Sequence, residues 1–192
     1  ISRKPKIAVL IFAKRICIAL LILIVSVSLY YPIGAILERR IPERSSVTLR
    51  SLNLDGLKFI QNSDPGEYQT INWLLKNHIE GPILEAVGDD YSEHGRISSS
   101  TGIPTLLGWK GHELQWRGSS KSINKRELHV SEIYQTADSL RRKYLLDKYG
   151  IKYIYVGTRE RAKYQRLNLE SSDRLQQVFH SDTTTLYKVI PK

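Results

Sequence analysis

Cysteine is almost absent from this chain of 192 residues, since Cys17 is the only one and lies within an apolar run. A single thiol excludes a disulfide framework within the chain and a metal site built from several thiolates. Methionine is absent altogether, and the first residue is isoleucine. We therefore expect the chain to be the C-terminal piece of a longer protein.

One long uncharged run lies near the N-terminus, ICIALLILIVSVSLYYPIGAIL at residues 16–37. As a helix it would extend roughly 30 Å at about 1.5 Å per residue, which matches the core of a bilayer. The run predicts a transmembrane helix. A cleaved signal peptide is the alternative, although the run is long for one and no small-residue cleavage site is evident before Tyr30.

Acidic residues are missing ahead of this run. The segment carries five basic residues instead: Arg3, Lys4, Lys6, Lys14 and Arg15. The positive-inside rule then places residues 1–15 in the cytoplasm and the C-terminal domain outside it, at the cell membrane. Of the 29 basic residues, 24 remain beyond this segment against 19 acidic ones, so the rest of the chain carries only +5 of the total +10. So small an excess argues against nucleic acid as a partner and leaves the lipid bilayer as the expected one.

The composition changes along the chain predict four parts. These are a basic cytoplasmic segment (1–15), a transmembrane helix (16–37), a juxtamembrane linker (38–62) and an extracytoplasmic α/β domain (63–192). In the linker, residues 48–60 read as an extended segment with a turn at Asp55-Gly56.

Helix signals are clearest at Asp64-Pro65-Gly66-Glu67, which supplies a side-chain cap, a proline at the first helical position and a glutamate three residues after the cap. Apolar residues at helical spacing follow it. The predicted helices are 65–78, 126–136, 138–149 (ended by Gly150) and 159–164.

Strand signals alternate with these helices. Short apolar or β-rich runs predict strands at 83–87, near 103–107, at 151–156, and in a terminal antiparallel pair at 178–179 and 185–190. This alternation predicts a small α/β domain with a mixed sheet.

The stretch from Pro82 to Gly118 holds two of the three tryptophans and two of the five histidines, in what reads as a long loop. Arginines can bind phosphate or carboxylate, tryptophans offer flat faces to a sugar or lipid, and carboxylates accept hydrogen bonds from hydroxyls. Alternatively, the tryptophans fill a shallow core and the arginines pair with the glutamates. The predicted ligand-binding residues are Glu85, Arg96, Trp109, His112, Glu113, Trp116 and Arg117.

Three further patterns bear on the chemistry. Glu85 lies on an apolar strand, and because an unpaired buried carboxylate is costly we expect an arginine of the loop to pair with it. His112-Glu113 begins like a zinc protease motif, but Trp116 stands where the second histidine is needed, so we predict neither a metal nor a cofactor. Residues 157–161 follow a strand and begin a helix, which favours an anion, with an ordinary solvated turn as the alternative.

A family resemblance rests on LEAVGDDYSEHGRISSSTGIPTLLGWKGHELQWRG, on the later YGIKYIYVGTRER, and on LDG at 54–56 followed by INWLLKN at 71–77. These segments resemble the C-terminal region of the archaeal and Chloroflexi-type "YYY" membrane proteins, the DUF2298 group, over nearly all of residues 30–190. The plan of that group is similar to GT-C membrane glycosyltransferases, in which many transmembrane helices precede a C-terminal domain outside the membrane.

The resemblance implies that the donor is a sugar on a polyprenyl phosphate and that the catalytic base lies outside this chain. The present domain would then bind ligand or glycan acceptor, beside the rest of its own polytopic chain. The alternative is a non-catalytic interaction or bracing module. A self-contained hydrolase is a third possibility, but it needs a nucleophile and a base whose spacing the sequence does not show.

Overall fold

The computed structural model describes residues 4–40, 54–169 and 172–191. Two compact units divide the chain, Ile1–Leu54 and Asp55–Lys192. Most of the predicted juxtamembrane linker, including residues 48–53 of its extended segment, lies outside the described residues.

The first unit contains helix α1, Lys4–Arg40. Its stretch Val9–Leu37 is long and apolar enough to cross a membrane, a test that a signal sequence also meets. The hydroxyls of Ser26 and Ser28 each donate at 2.8 Å to the carbonyl four residues earlier, so these two hydroxyls are satisfied within the helix. Helix α1 is thus compatible with the predicted transmembrane helix and extends beyond it at both ends.

The second unit is built from seven helices and four strands among its described residues. The helices are α2 (Lys58–Ser63), α3 (Pro65–Lys76), α4 (Arg96–Thr101), α5 (Lys110–Arg117), α6 (Ser120–Gln135), α7 (Ser139–Tyr149) and α8 (Thr158–Lys163). The strands are β1 (Ile83–Leu84), β2 (Tyr153–Val156), β3 (Leu175–His180) and β4 (Thr185–Val189).

The sheet has the order β1-β2-β4-β3. Strands β1 and β2 are parallel, whereas β4 runs antiparallel to both β2 and β3. The described residues therefore confirm an α/β unit with a small mixed sheet, including the antiparallel pair predicted at the end of the chain.

Alternation along β2 divides the core into two layers. Ile154 and Val156 point to a cluster that also contains residues of α6 and α7, whereas Tyr153 and Tyr155 point to one that contains residues of α2, α3 and α4. All four side chains are buried because both faces of the sheet are covered by helices. Helix α2, which falls within the predicted linker 38–62, contributes the buried Ile60 to the second cluster.

The helix prediction at 65–78 is confirmed, and Asp64 caps it by accepting the N–H of Glu67 at 3.1 Å. Predicted helices also appear as α6, α7 and α8, with α6 beginning six residues earlier than expected, at Ser120 instead of Arg126.

Three sequence predictions of this unit are wrong. Residues 58–60 belong to helix α2 and are not extended, and the predicted strand at 103–107 is reduced to an isolated bridge between Ile83 and Thr105. The long loop contains helices α4 and α5. Each is a turn or two long and ends at a glycine with positive φ, Gly102 at 75° and Gly118 at 64°, so neither has the length that periodicity requires.

Candidate functional site

Glu85 lies just beyond strand β1 and connects the sheet to helix α4. Its buried carboxylate accepts hydrogen bonds from the backbone N–H groups of Ile97 and Ser98, both at 3.1 Å. Burial raises the pKa of Glu85 to about 7, against the opposing effect of the hydrogen bonds from Ser98. The prediction that an arginine of the loop pairs with Glu85 is wrong, because the first backbone amides of α4 satisfy this carboxylate.

A cleft of about 540 Å³ opens between helices α4 and α5. Gly95 and Gly108 both line it and lie close together. A Cβ on Gly95 would be 3.8 Å from the Cα atom of Gly108. Five of the seven residues predicted from the sequence line the cleft: Trp109, His112, Glu113, Trp116 and Arg117. His94, Ser98, Ser99 and Thr105 complete its polar lining.

Three aromatic rings form a cluster beside the cleft. The Trp109 indole N–H donates to the carbonyl of His94 at 2.7 Å, and the rings of Trp109 and His112 meet edge to face at 5.1 Å. Tyr91 completes the cluster, 5.5 Å from Trp109 and 5.0 Å from His112 between ring centroids. Sequence reasoning missed Tyr91, whose φ of 58° places it in the left-handed region that few tyrosines adopt.

Asp90 holds the start of helix α5 in place. Its Oδ1 accepts the N–H of Gly111 at 3.0 Å and that of His112 at 3.2 Å. Glycine is needed at 111, since a Cβ there would lie 1.9 Å from Asp90 Oδ2. This side chain therefore performs the capping role that the N-cap residue, Trp109, cannot perform with its own side chain.

The outer wall of the cleft is polar and exposed. Glu113 and Arg117 form an ion pair one turn apart on α5, with 31% and 51% of their side chains exposed. Trp116 is 86% exposed. On the inner wall, the buried Thr105 Oγ1 has no hydrogen-bond partner among the described residues.

Arg96 does not line this cleft. Its guanidinium contacts Glu67 at 3.3 Å and Glu93 at 2.6 Å. Arg159 bridges the same two carboxylates, at 2.9 Å from Glu93, so that the four side chains close a ring. Burial raises the pKa of Glu67, and the nearby Arg159 opposes that rise. Arg96 is thus engaged in an internal network and is not presented to a ligand in the cleft.

The anion site considered at residues 157–161 is occupied by the protein's own carboxylate. Glu160 accepts the backbone N–H of Gly157 at 2.8 Å and that of Ala86 at 2.7 Å. Burial raises its pKa, whereas these backbone hydrogen bonds lower it. A carboxylate of α8 therefore links the ends of β1 and β2, where an external anion was considered.

The groups in the cleft favour an uncharged polar ligand. Burial, with the nearby Lys163 and Arg159, lowers the pKa of His94, so this imidazole is neutral near pH 7. The charges of Glu113 and Arg117 offset each other. Within the described part of the chain, no group of three or more histidine, cysteine or acidic side chains is arranged to hold a metal ion.

No family model, curated protein or solved structure matches this chain. In the cleft, aromatic faces and hydroxyl-binding groups share one concave surface.

Proposed function

We propose that this chain is the C-terminal extracytoplasmic domain of a polytopic membrane protein similar to GT-C glycosyltransferases, and that its cleft binds a saccharide. The ligand is a glycan acceptor or the sugar of a polyprenyl-phosphate donor. One observation carries the proposal: Trp109 and Trp116 line the same cleft as His112, Ser98 and Ser99. Sugar rings have apolar faces that pack on indoles and hydroxyls that need hydrogen-bond partners.

The size of the cleft supports this ligand class. Its volume of about 540 Å³ lies within the range of roughly 300–1,000 Å³ that is usual for small-molecule sites.

The carboxylates support a role in recognition and not in catalysis. Glu85 accepts two backbone N–H groups, and Glu113 pairs with Arg117, so both have partners that compete with a substrate. A general base needs a free oxygen within reach of the proton that it removes. We place the catalytic base in the part of the polytopic protein outside this chain.

A saccharide titration of the whole chain in lipid nanodiscs tests the proposal. We expect saturable quenching or enhancement of tryptophan fluorescence by at least one member of a panel of mono- and disaccharides. Trp116→Ala should weaken binding by roughly 2- to 10-fold, the value of one aromatic contact. Leu114→Ala is the matched control, since Leu114 is exposed on the same helix but does not line the cleft. Equal affinities of the two variants would contradict the proposed site.

The second candidate is a non-catalytic interaction or bracing module. The exposure of Trp116 and Leu114 on a helix with no buried residue favours it, because exposed apolar side chains mark contact surfaces. Surface glycans of cells carrying Arg117→Ala in the full-length protein distinguish the two. Unchanged glycans at normal protein levels would support the bracing module.

A further inference from the structure

The turn between helices α5 and α6 is an exposed part of the second unit. Lys110 at the start of α5 pairs with Glu127 in α6 at 3.2 Å, so the two helices fold back on each other as a hairpin. Every residue from 114 to 122 is exposed at the end of this hairpin. We call these residues, LQWRGSSKS, the hairpin tip.

The hairpin tip has an unusual chemistry for so exposed a segment. It holds Leu114 and Trp116, which are 42% and 86% exposed, beside Arg117 and Lys121, and it contains no acidic residue. Lys125 is exposed one turn after Lys121 on α6, and Leu128 is exposed one turn further along. Exposed apolar and cationic side chains therefore occur together in the tip and in the following turns of α6.

We propose that the hairpin tip docks on an anionic lipid surface. Tryptophan is favoured at the headgroup level of a bilayer, where its ring is buried and its N–H stays hydrated. Arginine and lysine bind lipid phosphates while their aliphatic stems cover apolar surface. Glu113, which directly precedes the tip, is paired with Arg117, so Lys121 and the neighbouring Lys125 supply the net positive charge that would meet lipid phosphates.

The rest of the chain supports a lipid occupant over a protein one. Stretch Val9–Leu37 of α1 is long and apolar enough to cross a membrane, so a bilayer is the surface to which this domain is attached by its own chain. The positive charges at the tip, on Lys121 and the neighbouring Lys125, would be attracted to an anionic bilayer. Trp116 and Arg117 also line the cleft, whereas Lys121 and Lys125 do not, so variants of the two lysines test lipid docking separately from saccharide binding.

Depth-dependent quenching of tryptophan fluorescence tests the docking. The whole chain is reconstituted into nanodiscs made of phosphatidylcholine, or of an equal mixture of phosphatidylcholine and phosphatidylglycerol, with and without brominated acyl chains. We expect brominated lipid to quench the wild-type chain strongly in the anionic discs, and Trp116→Phe to lose most of that quenching. Trp73→Phe, at a residue packed against Phe179 in the fold, should keep it.

Charge variants give the second readout. Each lysine near an anionic surface strengthens binding about 5-fold, so Lys121→Gln with Lys125→Gln should lower the ratio of docked to free tip by about 25-fold in the anionic discs. Lys76→Gln with Lys188→Gln removes the same charge from exposed positions elsewhere and should change nothing. Equal quenching of wild type and Trp116→Phe would overturn the proposal. So would a blue-shifted Trp116 emission without lipid quenching, which would indicate a protein contact.

Discussion

The carboxylate of Glu85 accepts the backbone N–H of Ser98 at 3.1 Å, which ties the first turn of helix α4 to the end of strand β1. Ser98 lines the cleft, whereas Glu85 lies buried beneath it. The wall of the proposed binding site is therefore fixed by a titratable group that has no contact with solvent.

Stability should depend on pH through Glu85. Burial raises its pKa from 4.5 to about 7, so the folded chain binds this proton more tightly than the unfolded chain. The free energy of unfolding should then fall as pH rises from about 4.5 to 7, by about 3 kcal/mol, and level off above that. The raised pKa values of Glu67 and Glu160 act in the same direction.

Chemical unfolding of the chain in detergent, followed by near-ultraviolet circular dichroism at a series of pH values, measures how the free energy of unfolding changes with pH. Glu85→Gln should make this pH dependence weaker, with Glu67 and Glu160 accounting for what remains. Glu80→Gln, at an exposed position, should leave it as in the wild type. A slope of the opposite sign, or one that Glu85→Gln does not change, would refute the assignment.

The ion-pair ring should tolerate loss of its outer carboxylate but not of its inner one. Glu67 has a side chain with 0% exposure, whereas 66% of the Glu93 side chain is exposed. Glu67→Gln removes the buried carboxylate that Arg96 and Arg159 share, leaves them only the exposed Glu93, and should cost about 3–5 kcal/mol of unfolding free energy. Glu93→Gln should cost less than about 1 kcal/mol, since solvent screens it. Similar losses in the two variants would show that the ring is not a buried network.

Gly88 should resist replacement by alanine, because a Cβ there would lie 2.0 Å from the His94 ring. Gly88→Ala must displace that imidazole from the cleft and should cost about 1–3 kcal/mol. Gly108 accepts the hydrogen bond of Gly88 N–H at 3.1 Å, yet a Cβ on it would meet nothing closer than 3.8 Å. Gly108→Ala is therefore the matched control and should leave stability unchanged within about 1 kcal/mol. Thermal unfolding of both variants, with NMR titration of His94, checks the prediction.

Thr105→Val should separate binding from stability. The substitution keeps the shape of the side chain and removes a buried hydroxyl that has no partner among the described residues. The midpoint of thermal unfolding should stay the same or rise, because an unsatisfied buried polar group is costly. Affinity for any saccharide that binds the wild type should stay the same, because Thr105 Oγ1 is buried and out of reach of a ligand in the cleft. A lower midpoint of thermal unfolding, or a loss of affinity, would contradict this description of Thr105.

Sequence reasoning predicted the large features because each has a strong local signal. Asp64, Pro65 and Glu67 predict the start of helix α3 because they form a typical N-terminal cap. The structure confirms this helix. Helices α4 and α5 were missed because six and eight residues do not display a hydrophobic period, and α5 buries none of its side chains. Tyr91 was missed for a related reason, since a tyrosine in the left-handed region has no signature in the sequence.

The sequence by itself determined the apolar helix α1, the alternation of helices and strands, and the concentration of tryptophan, histidine and arginine between Pro82 and Gly118. Those features depend on composition and on contacts between residues near each other in the chain. Only the tertiary structure decided that Arg117 lines the cleft while Arg96 lies in an internal ring. Glu93 lies only three residues before Arg96, but Glu67 comes from α3. A partner so distant in the sequence is chosen by packing against the sheet, which no local pattern encodes.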